Sequence, residues 1–71
     1  MKTYLVVFEP ADHNWAAYAP DVPGCIATGR TREEVERTFV EALAFHLEGL
    51  RLEGLPIPQP VAEAGHVAVP A

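Results

Sequence analysis

The pattern of apolar and polar positions predicts an antiparallel hairpin at the start of the chain. Apolar and β-branched residues fill positions 2–9 almost without interruption, which is typical of a strand buried on both faces or nearly so. The turn-forming residues at positions 10–14 must interrupt this strand. Residues 15–18 resume the strand pattern, so the two strands are expected to pair across a loop of about five residues.

The stretch YAPDVPGCIATG, residues 18–29, leaves the sheet and then returns to it. Pro20 and Pro23 fix the backbone φ angle and lack an N–H donor, and Gly24 permits a left-handed backbone. The chain must therefore bend here instead of continuing the ladder. Residues 25–28 can rejoin the sheet as a short third strand, and we interpret the bend as the corner that positions it.

A helix is predicted to begin after this third strand. Residues 31–34, TREE, have the T-x-x-E form of a capping box. In such a box the Thr31 hydroxyl accepts a hydrogen bond from the N–H of Glu34. The Glu34 carboxylate in turn accepts one from the N–H of Thr31, so two helix-terminal donors are expected to be satisfied together.

The helix is predicted to end at about Glu53, because Gly54 suits the position that follows a helix. Gly49 inside it costs about 1 kcal/mol relative to alanine, which indicates close packing at that point or an earlier end. The apolar face repeats every 3.6 residues and carries Val35, Phe39, Ala42, Leu43, His46, Leu47 and Leu50.

The C-terminal third combines a proline-rich connector with a weak strand pattern. Residues 55–60 contain three prolines at alternate positions and are expected to run extended over the surface. Residues 66–69, HVAV, alternate weakly and predict a last short strand. The predicted fold is α+β in the order β-β-β-α-β, a small antiparallel sheet with one helix on one face, forming a single domain over residues 1–71.

Composition limits the class of protein. The 71 residues are 49% hydrophobic, and five Lys and Arg against ten Asp and Glu give a formal charge of −5. A core of this size contributes only about 3–5 kcal/mol, so self-association as a dimer or tetramer is expected. Negative charge disfavours phosphate contacts with nucleic acid and favours a basic protein partner. One cysteine, no leader and no long apolar run predict a cytoplasmic protein that does not bind membranes.

No residues have the spacing of a catalytic or metal site. Cys25 has apolar neighbours and no adjacent charge, so we interpret it as a small buried hydrophobe and not as a nucleophile. The three histidines fit no ligand spacing, and the carboxylates carry no catalytic signature. We therefore expect no metal, no cofactor and no enzymatic activity.

An aromatic and basic platform for single-stranded RNA is a further alternative. Stacking contributes about 1–3 kcal/mol per base, and arginines beside the aromatic rings would add charge. Two arginines provide little positive charge for binding RNA. We therefore interpret the aromatic side chains as filling the helix-facing side of the sheet or a dimer interface. The residues in question are Tyr4, Trp15, Tyr18, Arg30 and Arg32.

Three motifs in combination resemble the HicB family of antitoxins: PDVPGC at residues 20–25, TREE at residues 31–34 and GLPIPQP at residues 54–60. The resemblance covers almost the whole chain. It implies a β-β-β-α-β domain similar to a truncated ribonuclease H fold without that enzyme's carboxylate cluster. It also implies that the partner is a small basic HicA toxin. Such a toxin cleaves RNA, and the antitoxin blocks it by covering its catalytic face. Many members carry a C-terminal DNA-binding segment; this chain stops at Ala71, so no direct DNA binding is expected.

The sequence therefore predicts a non-catalytic HicB-like antitoxin that binds and neutralises a HicA-type toxin ribonuclease. Aromatic residues dominate interface energies, so Trp15 and Tyr18 are the expected anchors, together with the acidic Glu9, Asp12 and Asp21. Two alternatives stay open. One is an orphan HicB-like domain that associates with itself and has no toxin partner, and the more remote one is a nuclease or RNA-binding protein.

Overall fold

The computed structural model describes residues 2–71 and contains a three-stranded antiparallel sheet followed by one long helix. The elements are β1 (Val7–Pro10), β2 (Trp15–Tyr18), β3 (Ile26–Gly29) and α1 (Arg32–Leu52). The strands lie in the order β1-β2-β3, so β1 and β3 form the two edges of the sheet. The predicted α+β class, with its small antiparallel sheet and one helix, is confirmed.

The core lies between α1 and one face of the sheet. Phe8, Ala17 and Ala27 form a row across the three strands on this face. Val35 and Phe39 of α1 are 0% and 2% exposed and pack against it. The helix lies close to the sheet because the central side chains of the row are alanines. The buried cluster comprises Ala17, Ala19, Val22, Cys25, Ala27, Val35 and Phe39, surrounded by Tyr4, Val6, Phe8, Trp15, Ala42, Leu43 and Leu47.

The first strand starts later than predicted: it was expected over residues 2–9, buried on both faces or nearly so, and it spans Val7–Pro10 with its last two residues exposed. The hairpin loop between β1 and β2 is slightly tighter than predicted. Pro10 still belongs to the ladder, where it lies opposite Trp15, and the N–H of Ala11 donates to the carbonyl of Asn14 over 2.8 Å. The loop therefore spans residues 11–14. Proline is compatible with this position because β1 is an edge strand, where a missing N–H interrupts no ladder.

The bend between β2 and β3 consists of two successive turns. The N–H of Val22 donates to the Ala19 carbonyl over 3.0 Å, and the N–H of Cys25 donates to the Val22 carbonyl over 3.3 Å. In the second turn Pro23 is followed by Gly24 at φ +88°, the combination that a type II turn requires. Val22 is only 1% exposed, so the bend inserts a core side chain as well as redirecting the strand.

Only half of the predicted capping box forms at the start of α1. Thr31 is the N-cap, and its hydroxyl accepts from the N–H of Glu34 over 3.0 Å as predicted. The Glu34 carboxylate, however, accepts from the N–H of Arg30 over 2.8 Å and not from that of Thr31. The prediction for this carboxylate was wrong by one residue, because the bend before the helix turns the Arg30 N–H towards it.

The C-terminal end of α1 agrees with the prediction to within a residue. Gly54 has φ +73°, its N–H donates to the Arg51 carbonyl over 3.1 Å, and the N–H of Leu55 donates to the Leu50 carbonyl over 2.9 Å. This is a Schellman motif, which needs a left-handed residue. Neither alternative predicted for Gly49 holds: a Cβ atom there would meet nothing within 4 Å, and the helix continues past it to Leu52.

Residues 55–71 contain no helix or strand. The first part of this segment is attached to the sheet: the Tyr4 hydroxyl donates to the Pro58 carbonyl over 2.6 Å, and Asp21 accepts from the backbone of Val61 and Ala62. The strand predicted at residues 66–69 does not form. These residues are exposed and pair with neither β1 nor β3, so their backbone has no ladder partner.

Candidate partner-binding surface

The face of the sheet opposite the helix is uncovered and carries an apolar row. Val7, Tyr18 and Ile26 lie side by side in the strand register, on β1, β2 and β3 respectively. Tyr18 is 36% exposed and Ile26 is 64% exposed. A continuous apolar row on a solvent-facing surface is characteristic of an interaction site. We call this side of the sheet the open face; it comprises Val7, Glu9, Ala16, Tyr18, Ile26 and Thr28.

Acidic groups border the open face at its hairpin end. Glu9 lies in the next row, opposite Ala16, which in turn pairs with Thr28. Asp12 is exposed in the adjoining loop. The open face therefore combines an apolar centre with a negatively charged margin, an arrangement that suits a partner of positive charge.

The five predicted contact residues do not meet on one surface. Glu9 and Tyr18 share the open face, and Asp12 is next to it in the loop. Trp15 and Tyr18 are three positions apart on β2, so their side chains lie on opposite faces of the sheet. Trp15 packs against the core on the face that the helix covers. Asp21 lies in the bend after β2, and its carboxylate is occupied by backbone N–H groups of its own chain.

Two residues of the apolar row, Val7 and Ile26, were not among the contact residues predicted from the sequence. Strand alternation could have identified them, because both lie opposite Tyr18 in the strand register and therefore share its face of the sheet. Phe45 was also missed; it is 82% exposed and borders a groove of about 400 Å³ with Ile26. The sequence signal for Phe45 was that this aromatic residue does not lie on the apolar face of α1 and must therefore point away from the core.

A second apolar surface lies on the helix side, between α1 and the residues that lead into β1. It is a groove of about 570 Å³, and Val40 on its helix wall is 63% exposed. We call it the β1–α1 groove. It is lined by Lys2, Thr3, Tyr4, Val6, Phe39, Val40, Leu43, Ala44, Leu47 and Ile57.

The predicted RNA platform is divided between the two faces of the sheet. Tyr4 and Trp15 pack on the helix side, whereas Tyr18 lies on the open face. Arg32 stacks over the Phe8 ring at 4.0 Å from its centroid and pairs with Glu36 over 2.7 Å. These side chains therefore form no continuous stacking surface with basic groups beside it.

Chemically reactive groups are sparse in the described part of the chain. Cys25 is only 6% exposed, and burial raises the pKa of its thiol, which disfavours the nucleophilic thiolate. Over residues 2–71, no three His, Cys, Asp or Glu side chains converge in a way that could hold a metal ion. Helix α1, the helix among these residues, is not apolar enough to cross a membrane.

Comparison with known proteins gives a family match over nearly the whole chain. The model for the HicB-like antitoxin of bacterial toxin-antitoxin systems matches residues 4–70. Antitoxin HicB 2 of Photorhabdus laumondii is 38% identical over an alignment of 72 positions, which covers 96% of this chain and 50% of the relative. An uncharacterised protein of Haemophilus phage HP1 is 34% identical over 56 residues, 79% of this chain and 42% of the relative. The chain thus spans about half the length of these two relatives.

A shorter relative and a solved structure complete the comparison. The UPF0150 protein Ta0767 of Thermoplasma acidophilum is 29% identical over 63 residues, 89% of this chain and 91% of the relative. A chain of the solved HicA3 and HicB3 toxin-antitoxin complex superimposes with a TM-score of 0.72 and 32% identity, over 84% of this chain and 70% of that one. Sequence and fold agree, and this chain belongs to the HicB-like antitoxin family.

Proposed function

We propose that this chain is a non-catalytic antitoxin that binds a small basic HicA-type toxin and neutralises its ribonuclease activity. The observation that carries the proposal is the 32% identity and 0.72 TM-score with a chain of a solved toxin-antitoxin complex. The net charge of −5 supports a basic partner. In this proposal residues 1–71 act as a single HicB-like domain in the cytoplasm.

The open face is the proposed docking surface for the toxin. The Val7, Tyr18 and Ile26 row would form the dehydrated centre of the contact, where most binding energy is concentrated. Glu9 and Asp12 at the margin would attract the basic toxin and orient it. Neutralisation then needs no chemistry from the antitoxin, because a protein seated on the catalytic face of the toxin excludes RNA.

The other two predicted contacts act from behind this surface. Trp15 lies on the helix side of β2 and supports the strand that carries Tyr18. Asp21 holds the segment after the prolines against the end of the sheet. Their proposed contribution to toxin binding is to maintain the shape of the domain, so substituting either would act through stability.

Calorimetry of the purified chain with a catalytically inactive HicA-type toxin tests this proposal, because it measures their binding directly. Ile26→Asp should weaken binding by at least about tenfold, since it places a charge in an apolar contact. Val40→Glu is the matched control, because Val40 is 63% exposed against 64% for Ile26 but lies on the helix. The control should bind as well as the unaltered chain.

Three outcomes would contradict the proposal. The first is the absence of binding by the unaltered chain, and the second is unchanged binding by the Ile26→Asp variant. The third is metal-dependent cleavage of RNA by the purified chain without toxin, which would favour the nuclease alternative. Toxin activity on RNA should fall as the chain is added at increasing molar ratio.

Self-association is the second candidate function, because residues 63–71 are exposed and β1 and β3 have free outer edges. In this candidate the chain forms a dimer or tetramer with or without a toxin. Exposed edges and apolar surface are what symmetric pairing buries.

A further inference from the structure

Helix α1 carries a second apolar line beside the one that faces the core. Phe45 is 82% exposed and Leu52 is 71% exposed, so neither side chain contributes to the core. Ala42 and Gly49 lie on the same side of the helix, because positions three, four and seven apart share a face. We call the line formed by Ala42, Phe45, Gly49 and Leu52 the α1 seam.

The spacing of the α1 seam is that of helix pairing. Its positions follow one another at intervals of three, four and three, the repeat by which one helix packs along another. From position 42 to position 52 it extends over about 15 Å of helix, because each residue adds about 1.5 Å. An apolar line of this length and repeat suits a second helix laid beside α1.

The groove of about 400 Å³ runs along this seam. Phe45, Gly49 and Glu53 line it from α1, and Gly24 and Ile26 line it where the chain enters β3. Ile26 is 64% exposed and belongs to the open face as well. The groove therefore continues the proposed docking surface around the β3 edge of the sheet and onto the helix.

Gly49 leaves a gap in the helix wall of this groove. Glycine weakens the interior of a helix relative to alanine. No neighbour in the described part of the chain requires glycine here, since a Cβ atom would meet nothing within 4 Å. The gap exposes helix backbone beside the Phe45 ring, and a bulky apolar side chain of a partner helix would fit there as a knob fits a hole.

The charges beside the α1 seam indicate the kind of partner. Glu41 and Glu48 are exposed on its outer side, and Glu53 lines the groove. Within the described residues Arg51 pairs with Glu48 over 2.7 Å, and no cation pairs with Glu41 or Glu53. A second copy would bring like charges together along the seam, whereas lysine or arginine on a partner helix would be attracted.

We propose that the α1 seam binds a basic amphipathic helix of the toxin, with a bulky apolar side chain of that helix seated over Gly49. This inference rests on the proposed function, because the toxin supplies the helix. The contact extends from the open face across Ile26 onto α1. It thereby enlarges a docking surface whose apolar centre on the sheet is only one row of three side chains.

Calorimetric titration with the catalytically inactive toxin tests the seam by filling its gap. Gly49→Leu should weaken toxin binding at least about tenfold, since leucine takes the place of the toxin side chain. The fold should persist, because leucine favours a helix and a Cβ atom there has free space. Ala44→Leu adds bulk at an exposed position of α1 outside the seam and should bind as the unaltered chain does. Circular dichroism checks that both variants fold.

Two further variants test the anchor and the charge. Phe45→Ala removes a ring that is 82% exposed and should weaken toxin binding at least about fivefold without lowering the urea midpoint. Glu53→Lys reverses a charge in the groove and should weaken binding about three- to tenfold at low salt and less at high salt. Glu63→Lys makes the same change at an exposed position after the helix and should have no effect.

The outcomes separate this inference from the proposed function. Toxin binding that Tyr18→Ala weakens, but that Gly49→Leu and Phe45→Ala leave unchanged, would overturn the α1 seam alone. No toxin binding by the unaltered chain would overturn both proposals. Sedimentation velocity of the chain without toxin tests the other occupant. A dimer that Gly49→Leu and Phe45→Ala dissociate would place a second copy on the seam and would also overturn the inference.

Discussion

The Asp21 carboxylate accepts a hydrogen bond from the backbone N–H of Val61 over 3.0 Å, across a separation of 40 positions in the chain. The same oxygen accepts from the N–H of Ala62 over 2.9 Å. One side chain in the bend after β2 therefore satisfies two consecutive donors of the C-terminal segment. It attaches the C-terminal segment, at residues 61–62, to the bend after β2.

Replacing this carboxylate should loosen the C-terminal segment. Asp21→Ala removes the acceptor of two N–H groups and should lower the free energy of unfolding by about 1–2 kcal/mol, as expected for partly exposed hydrogen bonds to a charged group. Amide hydrogen exchange at Val61 and Ala62 should become about tenfold faster. Asp12→Ala, in the exposed hairpin loop, serves as the control and should change neither quantity. Unchanged exchange at these two amides would show that Asp21 does not hold the segment.

Gly29 is required by the approach of α1 to β3. A Cβ atom at this position would lie 2.8 Å from the backbone nitrogen of Val35 and 3.0 Å from its Cα. Backbone atoms at a helix start cannot move aside as a flexible side chain does. Gly29→Ala should therefore reduce the free energy of unfolding by about 1–3 kcal/mol in urea denaturation, the usual cost of overpacking.

Gly49 provides the opposite case in the same chain and serves as the control. A Cβ atom there would meet nothing within 4 Å, and the residue lies inside α1. Gly49→Ala should raise the free energy of unfolding by about 0.5–1 kcal/mol, since alanine restricts the unfolded chain and favours the helix. Equal effects of the two alanine substitutions would contradict the geometry at Gly29.

Local sequence signals predicted the secondary-structure elements, whereas features that depend on what an element packs or pairs with were harder to predict. Thr31 and Gly54 marked the ends of α1 because a cap depends only on residues nearby. The strand at residues 66–69 was predicted from alternation, which indicates a strand but not what it pairs with. Trp15 and Tyr18 were both expected to anchor one contact, yet alternation along β2 puts them on opposite faces, and packing decides which face the helix covers.

Acid should destabilise the start of α1 through Glu34. The hydrogen bond from the Arg30 N–H holds the pKa of this carboxyl below its ordinary value, with the Arg30 charge as a smaller cause. A pKa lower in the folded than in the unfolded state gives stability that is present above the ordinary pKa of about 4.3 and is lost as pH falls through the folded value. We therefore expect urea midpoints to fall as the pH is lowered below about 4.3.

Glu34→Gln should flatten this pH dependence, because the amide does not titrate. Glu33→Gln, in the same first turn, is the control and should retain it. Some dependence should persist in both variants, since hydrogen bonds from Arg51 also hold the pKa of Glu48 low. Identical pH profiles for the Glu34→Gln variant and the unaltered chain would contradict the assigned role of the Arg30 contact.

Cys25 should behave as a core side chain and not as a reactive thiol. It is 6% exposed, and burial raises the pKa of its thiol, so the thiolate that reacts with disulfide reagents is scarce at neutral pH. Its reaction should be at least about tenfold slower in the native chain than in urea. Thr28→Cys in a Cys25→Ala background places a thiol on the exposed side of β3 and should react rapidly without urea. Fast native labelling of Cys25 would mean that the bend before β3 opens readily, which would also weaken the case for a fixed open face.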